Sequence, residues 1–162
     1  MTRHMFLSLL FLSVGALPVF SQPRTVEGRG EEYHRAFSLE FWHTADHAKA
    51  LQEQTTLPHK LNMDIAGQHV EEMERSLENA RLDHVMMHKT YSDLEKDGIQ
   101  ENHNLILQTH LKATEAVKAL RIELKKKSID LAVVKELAGT IYENATKAAA
   151  EHKKAMVKLG LE

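Results

Sequence analysis

Histidine is the residue type that could carry chemistry in this chain, because the 162 residues include 11 histidines and no cysteine. A histidine in an amphipathic helix normally lies on the solvent face or at its edge. Here many histidines recur at the three- and four-residue spacing of the apolar positions, so we expect them to share the buried face. The histidines on these apolar stripes are His69, His84, His88, His103, His110 and His152.

Two pairs of histidines have the spacing that aligns side chains along one face of a helix. His43 and His47 are four residues apart, and His84 and His88 repeat that spacing. Imidazole in a cysteine-free site suits Zn(II), Cu(II), Ni(II) or iron, and such a pair can chelate one ion from a single helix. We therefore predict that the cofactor and partner is a transition metal ion, either zinc or copper.

Other side chains could complete such a site or give the histidines a different role. Carboxylates near them in sequence, which could bind the ion or orient the rings, are Glu40, Glu72, Asp83 and Glu151. The methionines after residue 21 keep Cu(I) open because thioether sulfur is a soft ligand, although methionine at helical spacing is also ordinary core filler. Buried neutral histidines would also become protonated near about pH 5 to 6, which predicts a structure that opens in acid.

Four long helices must position these histidines. Apolar residues recur with a helical period throughout, no segment alternates with a period of two, and glycine and proline are scarce after residue 30. The connections are short, which makes neighbouring helices antiparallel. The predicted fold class is all-α, an antiparallel four-helix bundle over residues 31–162, with Leu77, Val117, Leu120 and Ile141 buried. The predicted helices span 31–54, 58–97 and 99–127, with a fourth that starts after a cap at Ser128 or Asp130.

The turns of this bundle predict three layers of histidines. A turn at Gly98 between helices two and three would bring His84 and His88 level with His110, so that three imidazoles converge on one ion. A turn near residues 127–128 would place His103 level with His152. A turn near residue 56 would place His43 and His47 level with His69. These eight histidines are the predicted metal ligands.

The N-terminus has the pattern of a signal peptide. The basic stretch Thr2-Arg3-His4 precedes an apolar run at 5–14, which is too short to span a membrane, and Val19-Phe20-Ser21 predicts cleavage before Gln22. We therefore expect a signal peptide over 1–21, a flexible lead-in over 22–30, and a periplasmic or secreted product without membrane attachment after cleavage.

The remaining composition argues against other partners and against catalysis. Loss of Arg3 with the signal peptide leaves 20 Lys and Arg against 23 Asp and Glu, a net charge of −3, which does not favour nucleic acid. A homo-oligomer stays open. The chain has no HExxH, GxSxG, P-loop or GxGxxG sequence. Its Glu-x-x-His spacing, as in Glu40 to His43, occurs on helix one only, whereas a di-iron bundle needs such a motif on each of two helices. We therefore predict that the protein is not an enzyme.

In its export signal, its lack of cysteine and its helical histidine periodicity over residues 40–155, the chain resembles small histidine-rich periplasmic metal-binding helical proteins. It has fewer histidines and a fuller apolar core than that pattern. The resemblance implies an exported protein that sequesters or carries a transition metal without catalysis. Two alternatives remain, a helical interaction or stress protein whose core histidines sense pH, and a b-type haem bundle.

Overall fold

Four α-helices make up the described part of the chain, which in this computed structural model is residues 26–56 and 61–161, with side chains from residue 31. Within these ranges there is no strand, and the helices pack as a four-helix bundle. None of the described helices is long and apolar enough to cross a membrane. The predicted signal peptide lies outside the described residues. The helices are α1 (Val26–Gln54), α2 (Met63–His88), α3 (Asp93–Leu124) and α4 (Leu131–Leu159).

Side-chain caps set the starts of three helices. The Asn62 side chain accepts hydrogen bonds from backbone N–H groups of the first turn of α2, and Asp130 does the same for α4. Ser92 and Glu95 form a reciprocal capping box at the start of α3. These caps satisfy N–H groups that have no partner inside the helix, which is why the helices begin at these residues.

The break between α2 and α3 lies earlier than the sequence predicted. The predicted stop at Asp97-Gly98 is wrong: α2 ends at His88, and Gly98 lies inside α3. Glycine inside a helix costs about 1 kcal/mol relative to alanine, which the Ser92 capping box can offset. The Thr90 hydroxyl donates to the Met87 carbonyl, which satisfies an acceptor at the end of α2.

Two other helix starts also differ from the prediction. α1 begins at Val26, so residues 26–30 of the predicted flexible lead-in are helical. Glycine at positions 28 and 30 makes a helix less stable but does not prevent helical backbone angles. α2 begins at Met63 rather than at Pro58, because the residue that caps it is Asn62.

The core combines a few large side chains with many alanines. Phe37, Phe41, Met73 and Leu120 are almost completely buried, and alanines of all four helices lie among them. Alanine lets helix backbones approach closely, so the large side chains fill the remaining space. The four residues predicted to be buried are confirmed, and these are Leu77, Val117, Leu120 and Ile141.

Leu120 and Ile122 on α3 provide a matched test of this core. Leu120 is 0% exposed and Ile122 is 64% exposed. We expect Leu120→Ala to lower the free energy of unfolding by about 2 to 5 kcal/mol, because it leaves a cavity among buried side chains. Ile122→Ala should change it by less than about 1 kcal/mol. Urea denaturation followed by circular dichroism measures both, and equal losses in the two variants would contradict this core.

Candidate functional site

Histidines from all four helices come together in the bundle interior. His34 of α1, His84 and His88 of α2, His103 of α3 and His152 of α4 form a chain of ring contacts that also includes Phe37 and Tyr91. We call the five histidines, without Phe37 and Tyr91, the five-histidine cluster. The cluster lies near the α2–α3 turn, where α1 begins and α4 ends.

The α2–α3 half of the cluster contains three imidazoles in mutual contact. The His84 Nε2 atom lies 3.0 Å from the His103 Nδ1 atom. The ring centre of His88 lies 4.5 Å from that of His103 and 5.9 Å from that of His84. His84 and His88 are one helical turn apart on α2, so both rings lean to the side on which α3 presents His103.

The α1–α4 half of the cluster is a hydrogen-bonded pair. The His34 Nδ1 atom lies 2.8 Å from the His152 Nε2 atom, and the other nitrogen of His34 lies 2.9 Å from the Tyr91 hydroxyl. Phe37 connects the two halves, because its ring centre lies 4.7 Å from that of His152 and 5.5 Å from that of His84. Both histidines of this pair are buried, with 1% and 4% of their surface exposed.

His110 does not occupy the position that the sequence predicted. Its Nε2 atom lies 2.9 Å from the carbonyl oxygen of Leu77, so the ring donates a hydrogen bond to the backbone of α2. The histidine opposite His84 is His103 instead. The reason is the earlier turn at residues 89–92, which moves α3 along α2 relative to the register predicted from a turn at Gly98.

A separate pair joins α1 and α2 away from the five-histidine cluster. The His47 and His69 Nδ1 atoms are 2.9 Å apart, as expected for two residues predicted to lie level. The Nε2 atom of His69 lies 3.2 Å from the side-chain nitrogen of Gln54. His43 was predicted to join this layer, but its side chain is exposed. Although His43 and His47 are four residues apart on α1, only the His47 ring contacts α2.

Three of the four carboxylates proposed as companions of the histidines pair with other residues. Glu151 accepts hydrogen bonds from Asn102 and Lys154, which connects α3 to α4. Glu40 accepts one from Asn79, and Glu72 pairs with Arg75. Burial and the nearby Glu40 carboxylate raise the pKa of Asp83. The histidine pairs described above are thus bonded to each other, to Tyr91 and to Gln54.

Burial favours the neutral form of four imidazoles of the cluster, those of His34, His84, His103 and His152. It lowers the pKa of His34 and of His84 to about 4 and that of His152 to about 3, from an ordinary value of 6.5. Burial and the neighbouring His88 also lower the pKa of His103. A positive charge on any of these rings would be desolvated and close to other rings, which is why the neutral form is favoured. Neutral imidazole is the form that binds metal ions.

Sequence reasoning missed two members of this site, His34 and Tyr91. His34 lies three residues before Phe37 and seven before Phe41, which are both core residues, so its spacing already marks the buried face. The neighbouring Tyr33 lies four residues before Phe37 and so has a helical spacing as well, which means that the pattern alone does not decide which of the two side chains is buried. Tyr91 follows His88 by three residues, so its spacing continues the stripe of His84 and His88, although it lies in the connection between α2 and α3.

In the residues that the structure describes, no three side chains of the His, Cys, Asp and Glu types are already arranged as a group that could hold a metal ion. Binding by three imidazoles would therefore need side-chain rotation within the cluster. No family model, curated protein or solved structure matches the chain. The chemistry of the site thus has to be argued from its own residues.

Acid should destabilise the protein before its carboxylates are protonated. Since the pKa values of His34, His84 and His152 are lower in the folded state than the ordinary 6.5, unfolding takes up protons below that pH. The stabilisation is complete above about pH 6.5 and is lost as the pH falls towards 4. Each of these histidines should raise the unfolding constant by up to about tenfold per pH unit in this window.

Urea denaturation at several pH values between about 5 and 7 measures this dependence. His43→Gln is the control, because His43 is exposed, and it should leave the pH dependence unchanged. His152→Phe, if folded, should reduce the uptake by about one proton. A free energy of unfolding that stays constant from pH 7 to 5 would contradict the burial of neutral imidazoles.

Proposed function

We propose that the protein is a non-catalytic metal-binding protein that sequesters or carries Zn(II) or Cu(II), and that His84, His88 and His103 are its ligands. The observation that carries this proposal is the contact of three imidazoles from two helices around the nitrogen pair of His84 and His103. Imidazole nitrogens are preferred ligands of both ions, and three of them leave a fourth position for water.

The distance between the paired nitrogens supports the proposal. Zn–N bonds of about 2.0 to 2.1 Å at tetrahedral angles place two ligand nitrogens about 3.3 Å apart. The His84 and His103 nitrogens lie 3.0 Å apart, so they would need to separate by only a few tenths of an ångström. The His88 ring, in contact with both, would then rotate to bring a nitrogen to the ion. Side-chain rotation of this kind leaves the helices in place.

The electrostatic environment also favours a metal ion over a proton. Burial lowers the pKa of His84 and of His103, so neither ring takes up a second proton at neutral pH. A metal ion gains bonds to several imidazoles at once, whereas a proton gains one. The proposed binding should therefore weaken in acid, because protons compete for the ligand nitrogens.

The proposed location of the protein and its proposed role as a carrier rest on the sequence. The signal-peptide pattern at residues 1–21 and the resemblance to histidine-rich periplasmic metal-binding proteins support a periplasmic or secreted carrier. The main competing function is a helical interaction protein that responds to pH, and the lowered pKa values of His34, His84 and His152 favour it. The two functions differ in whether the cluster binds an ion at neutral pH.

Calorimetric titration with Zn(II) and Cu(II) at pH 7.5 tests the proposed ligands. We expect His88→Ala and His103→Ala each to weaken binding by more than about tenfold, because each removes one of three ligands. His110→Gln is the matched control, since glutamine can still donate to the Leu77 carbonyl, and it should bind as the wild type does. Saturating metal should also raise the melting temperature of the wild type.

Three outcomes distinguish the competing functions. Equal affinity in the wild type, His88→Ala and His103→Ala would eliminate this site. Absence of binding at pH 7.5, together with unfolding in acid, would leave the pH-responsive function. A Soret absorbance band in protein purified from its native compartment would point to haem instead.

A further inference from the structure

A cavity between α1 and α4 leads from the surface to the His34–His152 pair. Its volume is about 610 Å³. Leu39 and Trp42, which are about half exposed, line its outer part, and His34, His152 and Met156 also line it. This pair is therefore accessible by a route that does not pass through the α2–α3 half of the five-histidine cluster.

We infer that His34, His152 and Met156 form a second metal site, which binds Cu(I). Two imidazoles and one thioether make a softer ligand set than the three imidazoles of the first site. Cu(I) accepts thioether sulfur, whereas Zn(II) in proteins is bound by thiolate, imidazole and carboxylate. This inference goes beyond the proposed function and does not depend on it.

All three side chains line the same cavity. The His34 Nδ1 and His152 Nε2 atoms are 2.8 Å apart, so they would have to separate by about half an ångström to bind one ion together. Met156 follows His152 by four residues on α4, so the two side chains lie on the same face of that helix. Met156 is 9% exposed, and it lines the same cavity as both histidines.

Tyr91 orients His34 for this role. Its hydroxyl lies 2.9 Å from the His34 Nε2 atom. If His34 Nδ1 binds an ion, the ring proton must be on Nε2, and Nε2 then donates a hydrogen bond to the Tyr91 oxygen. A hydrogen bond to the second nitrogen of a metal-binding histidine fixes the tautomer and the ring orientation. The function of the partly buried Tyr91 in this site is thus to orient the His34 ring.

Substitution of buried methionines tests the assignment with little change in volume. We would titrate Cu(I) under anaerobic conditions against a chromogenic competing chelator, with the wild type, Met156→Leu and Met73→Leu. Leucine replaces methionine at nearly constant volume but removes the thioether. Met156→Leu should weaken Cu(I) binding at least tenfold. Met73→Leu, the control for a buried methionine of α2 outside the cavity, should not change it.

A second measurement identifies the ligand directly. Ag(I), a redox-inert substitute for Cu(I), should shift the Met156 methyl signal in an NMR spectrum and leave that of Met73 unchanged. An unmoved Met156 methyl, or equal Cu(I) affinity in all three proteins, would overturn the inference. Loss of Cu(I) binding in His103→Ala but not in Met156→Leu would also overturn it, because the ion would then be held by the α2–α3 half.

The two sites can fail independently. If Zn(II) and Cu(II) do not bind but Cu(I) affinity depends on Met156, the proposed function fails while this inference stands. If Zn(II) binding depends on His103 and Cu(I) affinity is the same with and without the Met156 thioether, the inference fails and the proposed function stands.

Discussion

The backbone N–H of Ser92 donates to the Glu95 carboxylate, and the backbone N–H of Glu95 donates to the Ser92 hydroxyl. This capping box fixes the residue at which α3 begins. The start of α3 in turn sets which residues of α3 lie opposite α2, so that His103 contacts His84 while His110 contacts the Leu77 carbonyl. Every feature of the candidate site on these two helices depends on that register.

Burying so many imidazoles in one bundle is costly unless their nitrogens find partners. The cluster solves this by pairing histidine with histidine, in the His34–His152 and His84–His103 contacts, and His34 with Tyr91. In each histidine pair one nitrogen donates and the other accepts, so both rings can stay neutral. For both nitrogens of a pair to bind one cation, the donor ring must change tautomer, so that its proton moves to its other ring nitrogen and both paired nitrogens offer a lone pair.

The two halves of the cluster differ in their surroundings rather than in their histidines. Three imidazoles face one another between α2 and α3, whereas the α1–α4 pair lies beside a methionine, a tyrosine and a cavity. Ligand softness and access thus differ over a short distance within one bundle. Phe37 lies between the halves and contacts both His84 and His152.

The sequence by itself determined the four helices, the burial of Leu77 and Leu120, and the presence of histidines on the buried faces, because helical periodicity depends only on local spacing. It also placed His47 level with His69, and the Nδ1 atoms of these two rings are 2.9 Å apart. Only the tertiary structure decided that His103 and not His110 meets His84, and that His34 and Tyr91 belong to the site. An error of a few residues in a turn shifts two helices by about a helical turn, roughly 5 Å, and nitrogen atoms in contact tolerate only a few tenths of an ångström.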